Sequence, residues 1–70
     1  MKIIYSSHAE EQIGERKIDK VWIEETIKSP DQTKKKDLNK YIVKKKLNDR
    51  SIEIVYIKEK HIKVVTVYWI

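Results

Sequence analysis

From Lys40 to the end of the chain, apolar residues recur at alternate positions, and this period of two does most to narrow the fold. Lys40 to Leu47, Ser51 to Ile57 and Ile62 to Ile70 are rich in Val, Ile and Tyr, types that suit a pleated, half-buried surface. Asn48-Asp49-Arg50 and Lys58 to His61 separate the runs, and both are polar and turn-length. The pattern predicts an antiparallel three-stranded meander.

The first forty residues carry a different signal. Lys2 to Tyr5 reads as a short strand. Ser7 with Glu10 three residues on makes a capping box, followed by a helix over about His8 to Arg16 that packs through Ala9 and Ile13. Gly14 weakens this helix by roughly 1 kcal/mol relative to alanine. Asp19 caps a second helix, with Ile18 stapled onto Ile23. Val21, Trp22, Ile23, Thr26 and Ile27 recur at helical spacing, while Glu24, Glu25 and Lys28 look outward. Ser29-Pro30 ends the helix, because a residue before proline avoids the α region. Asp31 to Asp37 is a polar connector. The expected architecture is a single α+β domain over 1–70, strand–helix–helix and then the meander. Both helices pack on one face of an antiparallel sheet of three or four strands.

Composition excludes several classes. The chain has 70 residues and no cysteine, so a disulfide framework, a thiolate zinc site and a thiol nucleophile are all ruled out. No run approaches the roughly 18 apolar residues of a membrane span, and Ile3 to Tyr5 is too short for a signal peptide. The expectation is a cytoplasmic chain with no membrane partner. His8, Glu11, Gln12 and Glu15 share a helical face, but one histidine there makes a poor metal site. With no glycine-rich phosphate loop, nucleotide fingerprint or Ser–His–Asp pattern, neither a metal nor a cofactor is expected.

The net charge of +5 is concentrated. Lys34, Lys35, Lys36, Lys40, Lys44, Lys45 and Lys46 stand against Asp37 alone, and the remaining residues hold nine bases and ten acids. All the excess therefore lies in one segment. Such a patch suits a polyanion through counterion release and steering, or it is a solvated lysine-rich surface. DNA is the weaker target, because no helix is both basic and placed to enter a major groove.

Strand parity assigns faces, since residues directly opposite in an antiparallel pair share one. Even loops pair Leu47 with Arg50 and Ile57 with Ile62. One face then carries Tyr41, Val43, Lys45, Ile52, Ile54, Tyr56, Lys63, Val65, Val67 and Trp69, on which the helices sit. The other is apolar at one end, through Ile42, Val55, Ile57, Ile62 and Val64. At its other end Lys44, Glu53 and Thr66 come opposite one another, with Lys46 and Tyr68 alongside. An odd first loop would move Lys44 to the other face. Cations, a carboxylate, a hydroxyl and a phenol converging on an open sheet make a binding or reaction surface. A plain cross-strand salt bridge, Lys44 with Glu53, explains part of the same pattern.

Ser7-His8-Ala9, Glu15-Arg16-Lys17-Ile18, a helix running to Ser29-Pro30-Asp31 and the closing Val64-Val65-Thr66-Val67-Tyr68-Trp69 form an ordered set. Together they resemble the domain-of-unknown-function 4258 family of small prokaryotic domains. Its pattern is Ser or Thr, His-Ala, Arg, Glu-Arg-Gly-Ile, a helix ending near proline, and a Thr-Val-Tyr-Trp-like strand. The likeness spans essentially the whole chain, and His8, Arg16, Thr66, Tyr68 and Trp69 match it. Two positions depart: Glu11-Gln12 stand where arginine is usual, and Lys17 where glycine is.

The element order is also similar to that of RelE and ParE toxins, and more loosely to barnase-like ribonucleases. This wider resemblance implies an RNA-directed toxin, a metal-independent endoribonuclease on the open sheet face with a protein antitoxin masking it. The implied partner is RNA or the ribosome. The implied catalytic set is His8, Arg16, Lys44, Thr66 and Tyr68, with His8 or Tyr68 moving protons, Arg16 and Lys44 together with Lys46 stabilising phosphate and Thr66 positioning it. Lys34, Lys35, Lys36, Lys40 and Lys46 would bind RNA. The rival expectation is a non-catalytic interaction module or homodimer that uses the apolar end of the open face.

Overall fold

The computed structural model describes residues 2–70. Strand β1 (Ile3–Tyr5) leads into helices α1 (Ser7–Arg16) and α2 (Lys20–Lys28), followed by strands β2 (Gln32–Lys35), β3 (Lys40–Leu47), β4 (Arg50–Lys58) and β5 (Ile62–Trp69). The strands form one mixed sheet in the order β1-β5-β4-β3-β2. β1 runs parallel to β5, and the other neighbours are antiparallel.

The protein is thus α+β with two helices, but the sheet has five strands rather than three or four. The connector after Pro30 is itself an edge strand. Asp31 starts it: its N–H donates to Lys44 O (2.9 Å) and its Oδ2 accepts from Lys46 N–H (2.8 Å). All four residues of β2 are exposed, so it needed no apolar pattern. Backbone pairing to the free edge of β3 holds it, and its lysines discourage pairing with another chain.

Ser6, not Ser7, caps α1. Its Oγ accepts from Ala9 N–H (3.0 Å) and donates to Val65 O (3.2 Å), so one hydroxyl both starts the helix and ties it to β5. Glu10 is left free of any capping box and pairs instead with Lys20 (3.0 Å), across the starts of the two helices. At the far end Lys17 adopts φ 52, and Ile18 N–H donates to Ile13 O (3.0 Å). That is a Schellman-type stop. Asp19 caps α2 as expected, with Oδ1 accepting from Val21 N–H (2.9 Å).

The core lies between the helices and one sheet face. Ala9, Ile18, Ile23, Val43, Ile52, Ile54, Tyr56, Ile62, Val64 and Val67 form it, with Ile13 and Ile27 packed against it. Each fully buried isoleucine contributes about 1.5–3 kcal/mol. Thr26 shares the buried face of α2, its hydroxyl donating to Trp22 O (2.7 Å). Val21 and Trp22 do not: they are 65% and 40% exposed. Gln12 is buried although polar, because β1 pairs with β5 only from Ile62 to Val64 and leaves the rest of that edge open. Its Oε1 accepts from Val67 N–H (2.9 Å), so α1 covers the strand edge that β1 leaves open.

Candidate functional site

The β3–β4 hairpin sets the first half of the site. Leu47 pairs with Arg50 across Asn48-Asp49, an even loop whose first residue, Asn48, takes φ 57. Asparagine tolerates that region better than most side chains. Lys44 therefore stands on the face away from the helices, opposite Glu53 on one side and Gln32 on the other.

The second hairpin departs from the expected register. Ile57 pairs with Lys63, not Ile62, and a bulge intervenes: Tyr56 pairs with Val64, yet Val55 pairs with Thr66. Val65 is the extra residue. Ile62 and Val64 consequently point into the core, where both are buried, and leave the apolar patch expected of an interaction module. Lys63, expected on the helix-covered face, turns outward. Thr66 lies beside Val55, and Glu53 meets Tyr68 instead.

The open face therefore carries one row of Gln32, Lys44, Glu53 and Tyr68, and a second of Lys34, Ile42, Val55 and Thr66. Lys40 and Lys63 flank Ile57 in a third. With Lys46 next along β3, the face presents five lysines and the single carboxylate of Glu53. Directly opposite side chains on such a sheet lie about 5 Å apart at Cβ. A shallow groove of about 630 Å³ runs between Gln32, Lys34, Ile42, Lys44 and Glu53.

Of the residues singled out from sequence, Lys34, Lys40, Lys44, Lys46, Thr66 and Tyr68 share this face. Lys35 points the other way, its Nζ 5.7 Å from the Tyr41 ring, and Lys36 follows the end of β2, its N–H bonded to Lys40 O (2.8 Å). His8 is exposed on the first turn of α1, in the helix layer rather than among the Lys44 row. Arg16, at the other end of α1, lines a separate groove of about 580 Å³ with Trp22, Lys46, Arg50 and Trp69. His8 and Arg16 are thus not gathered with Lys44, Thr66 and Tyr68 into one constellation. Among the described residues, no group of three or more His, Asp or Glu is arranged to hold a metal ion. No helix there is long and apolar enough to cross a membrane.

Sequence reasoning missed Lys63, Trp22 and Arg50. A signal for Lys63 existed: Ile62 and Val64 keep one apolar phase, Val67 and Trp69 the other, with Val64-Val65 adjacent between them. A phase jump within one strand is the mark of a bulge.

A small α+β domain with helices on one face of a mixed sheet and a lysine-rich face left open is the class these features define. The chain belongs to the family described as Domain of unknown function (DUF4258), whose model matches residues 5–69. No curated protein and no solved structure matches it.

Proposed function

We propose that the protein is an RNA-directed, RelE/ParE-like toxin-type domain that binds single-stranded RNA on its open sheet face and cleaves it there. The observation that carries the reading is the open face that the β5 bulge produces, with Lys34, Lys40, Lys44, Lys46 and Lys63 against Glu53 alone. Five cations on one surface suit a phosphate backbone, each neutralised phosphate releasing counterions.

Cleavage would use the row across β3, β4 and β5. Glu53 takes the proton of a ribose 2′-hydroxyl, whose oxygen attacks the adjacent phosphorus. The bond to the 5′-oxygen breaks, and Tyr68 protonates that leaving oxygen, giving a 2′,3′-cyclic phosphate and a free 5′-hydroxyl. Lys44, a member of that row that also lines the groove, stabilises the added phosphoryl charge. Thr66, one pair along, orients the phosphate. Tyr68 thus keeps a proton role and Glu53, which stands opposite it, takes the place of His8. The RelE/ParE likeness rests on the strand–helix–helix opening and the three long strands β3 to β5.

The test is fluorescence anisotropy with a single-stranded RNA, together with product analysis for cyclic phosphate. Wild type should bind with a steep salt dependence, Lys44→Glu/Lys63→Glu should bind far more weakly, and Glu53→Gln should bind without cleaving. Equal affinity of wild type and the double variant would refute the binding reading. Binding without cyclic phosphate, on naked RNA and on ribosomes alike, would remove the enzymatic part.

A further inference from the structure

The groove at the hairpin end of the sheet is built differently from the open face. Trp69 is fixed there on three sides: its Nε1 donates to Arg16 O (3.3 Å), the Arg50 guanidinium carbon lies 4.0 Å from its ring centroid, and Trp22 meets it edge-on at 5.7 Å and 63°. Trp22 itself is left 40% exposed, projecting from the start of α2 beside a ring that is locked in place. Arg16, Lys17, Lys46 and Arg50 line the groove against one carboxylate, Asp49. Neither arginine forms an ion pair among the described residues.

A half-open indole beside unpaired guanidinium groups matches a ligand that is flat and aromatic at one end and anionic at the other. The groove volume of about 580 Å³ falls in the range of small-molecule sites. We propose that it binds a nucleoside phosphate, with the base against Trp22 and the phosphate held by Arg16, Arg50 and Lys46. Stacking is tolerant of base identity because every base offers a π-face, whereas arginine forks give the phosphate end its geometry. The site goes beyond the RNA reading of the open face and stands if that face binds nothing. The same chemistry arises from a free nucleotide or from one nucleotide of a strand that passes round the hairpin by way of Lys46.

The chain has two tryptophans, and both line this groove, so intrinsic emission of the unmodified protein reports on it directly. Titration with adenosine monophosphate should quench the emission saturably, and adenosine or inorganic phosphate alone should each need much higher concentrations. By calorimetry, Trp22→Ala should weaken the nucleotide by about five-fold or more, and Arg16→Gln/Arg50→Gln should abolish the advantage over adenosine. A thermal melt of each variant checks that it is folded, and Arg16→Gln alone, at an exposed helix end, keeps the test open should Arg50 prove needed for folding. No saturable quenching at millimolar nucleotide, equal affinity for adenosine, or an unaffected Trp22→Ala would overturn the proposal. Competition between the nucleotide and a single-stranded oligonucleotide would identify the strand as a source, and nucleotide binding without competition the free form. Because Lys44→Glu/Lys63→Glu leaves the groove intact, retained nucleotide binding there separates this site from the open face.

Discussion

Replacing Lys17 with glycine should stabilise the protein, and the expected size follows from one dihedral angle. Lys17 ends α1 at φ 52, a left-handed conformation that places Cβ against the following carbonyl. For an L-residue with a side chain this costs roughly 1–2 kcal/mol. Glycine removes that cost but raises the entropy of the unfolded chain, which returns about 0.4–1 kcal/mol. From the middle of both ranges the net gain should be about 0.8 kcal/mol, or roughly 3 to 6 °C in Tm for a domain this small. The Ile18 N–H to Ile13 O bond (3.0 Å) that completes the stop does not involve the Lys17 side chain, so the substitution leaves it in place.

The assay is thermal unfolding followed by circular dichroism, with Lys17→Ala as the control. Alanine removes the charge and the long side chain while keeping Cβ, so it retains the strain and should give no comparable gain. A Lys17→Gly variant no more stable than wild type, or a Lys17→Ala variant stabilised equally, would show that backbone strain is not what Lys17 costs. The family resemblance implies glycine here, so the experiment also asks whether Lys17 is held at a loss in stability.

Three further substitutions test other parts of the fold. Gly14→Ala should add about 0.5–1 kcal/mol in the same melt, because the new Cβ meets nothing within 4 Å and helix interiors favour alanine over glycine by that amount. Gln12→Leu should cost about 1–3 kcal/mol by leaving the Val67 N–H buried and unpaired, read as a lower urea midpoint at unchanged slope; an unchanged midpoint would mean the β5 edge is protected some other way. Tyr5→Phe should stabilise at neutral pH, since the Tyr5 hydroxyl is buried with no hydrogen-bond partner among the described residues. It should also flatten the alkaline loss of stability. Burial, and then the Glu24 and Glu10 carboxylates, raise the Tyr5 phenol above 10.0. The folded state thus prefers the neutral phenol, and this contribution is complete below pH 10 and lost as pH rises through the raised value. Tyr56 shifts the same way, through burial and then Tyr41, so part of the alkaline slope should survive. Identical Tm–pH curves for Tyr5→Phe and wild type above pH 10 would count against the assignment.

The elements legible in the sequence were those whose signal is local. Asp19 announces α2, Ser29-Pro30 ends it, and alternation from Lys40 gives the long strands. What escaped depends on partners distant in sequence. β2 exists because β3 offers it an edge, Gln12 is buried because β1 is short, and Ser6 outcompetes Ser7 as cap because its hydroxyl also reaches Val65 O. The site divides along the same line. Parity alone places Lys44 and Glu53 together, since their hairpin is tight and even. The placements of Lys63, Thr66 and Tyr68 needed the register of β5, and the Trp22–Trp69 groove needed the packing of α2 against the sheet end.

That register is decided by energy rather than by the turn. A regular β5 placing Val67 and Trp69 inward would put Lys63 and Val65 there too and send Ile62 and Val64 outward. Exposing those two side chains would forfeit about 3–6 kcal/mol, and enclosing the Lys63 ammonium without a partner would cost several more. The bulge instead interrupts the backbone ladder at one residue, a loss of about 1 kcal/mol, partly offset where Ser6 Oγ donates to Val65 O (3.2 Å). The extra residue is therefore the cheaper solution, and the requirement it meets lies in the core. Its consequence lies on the other side of the sheet. The demand that Ile62, Val64 and Val67 all be buried turns Lys63 outward to join Lys34, Lys40, Lys44 and Lys46, and it brings Tyr68 opposite Glu53. Packing under the helices thus fixes the charge and the chemistry of the face left open.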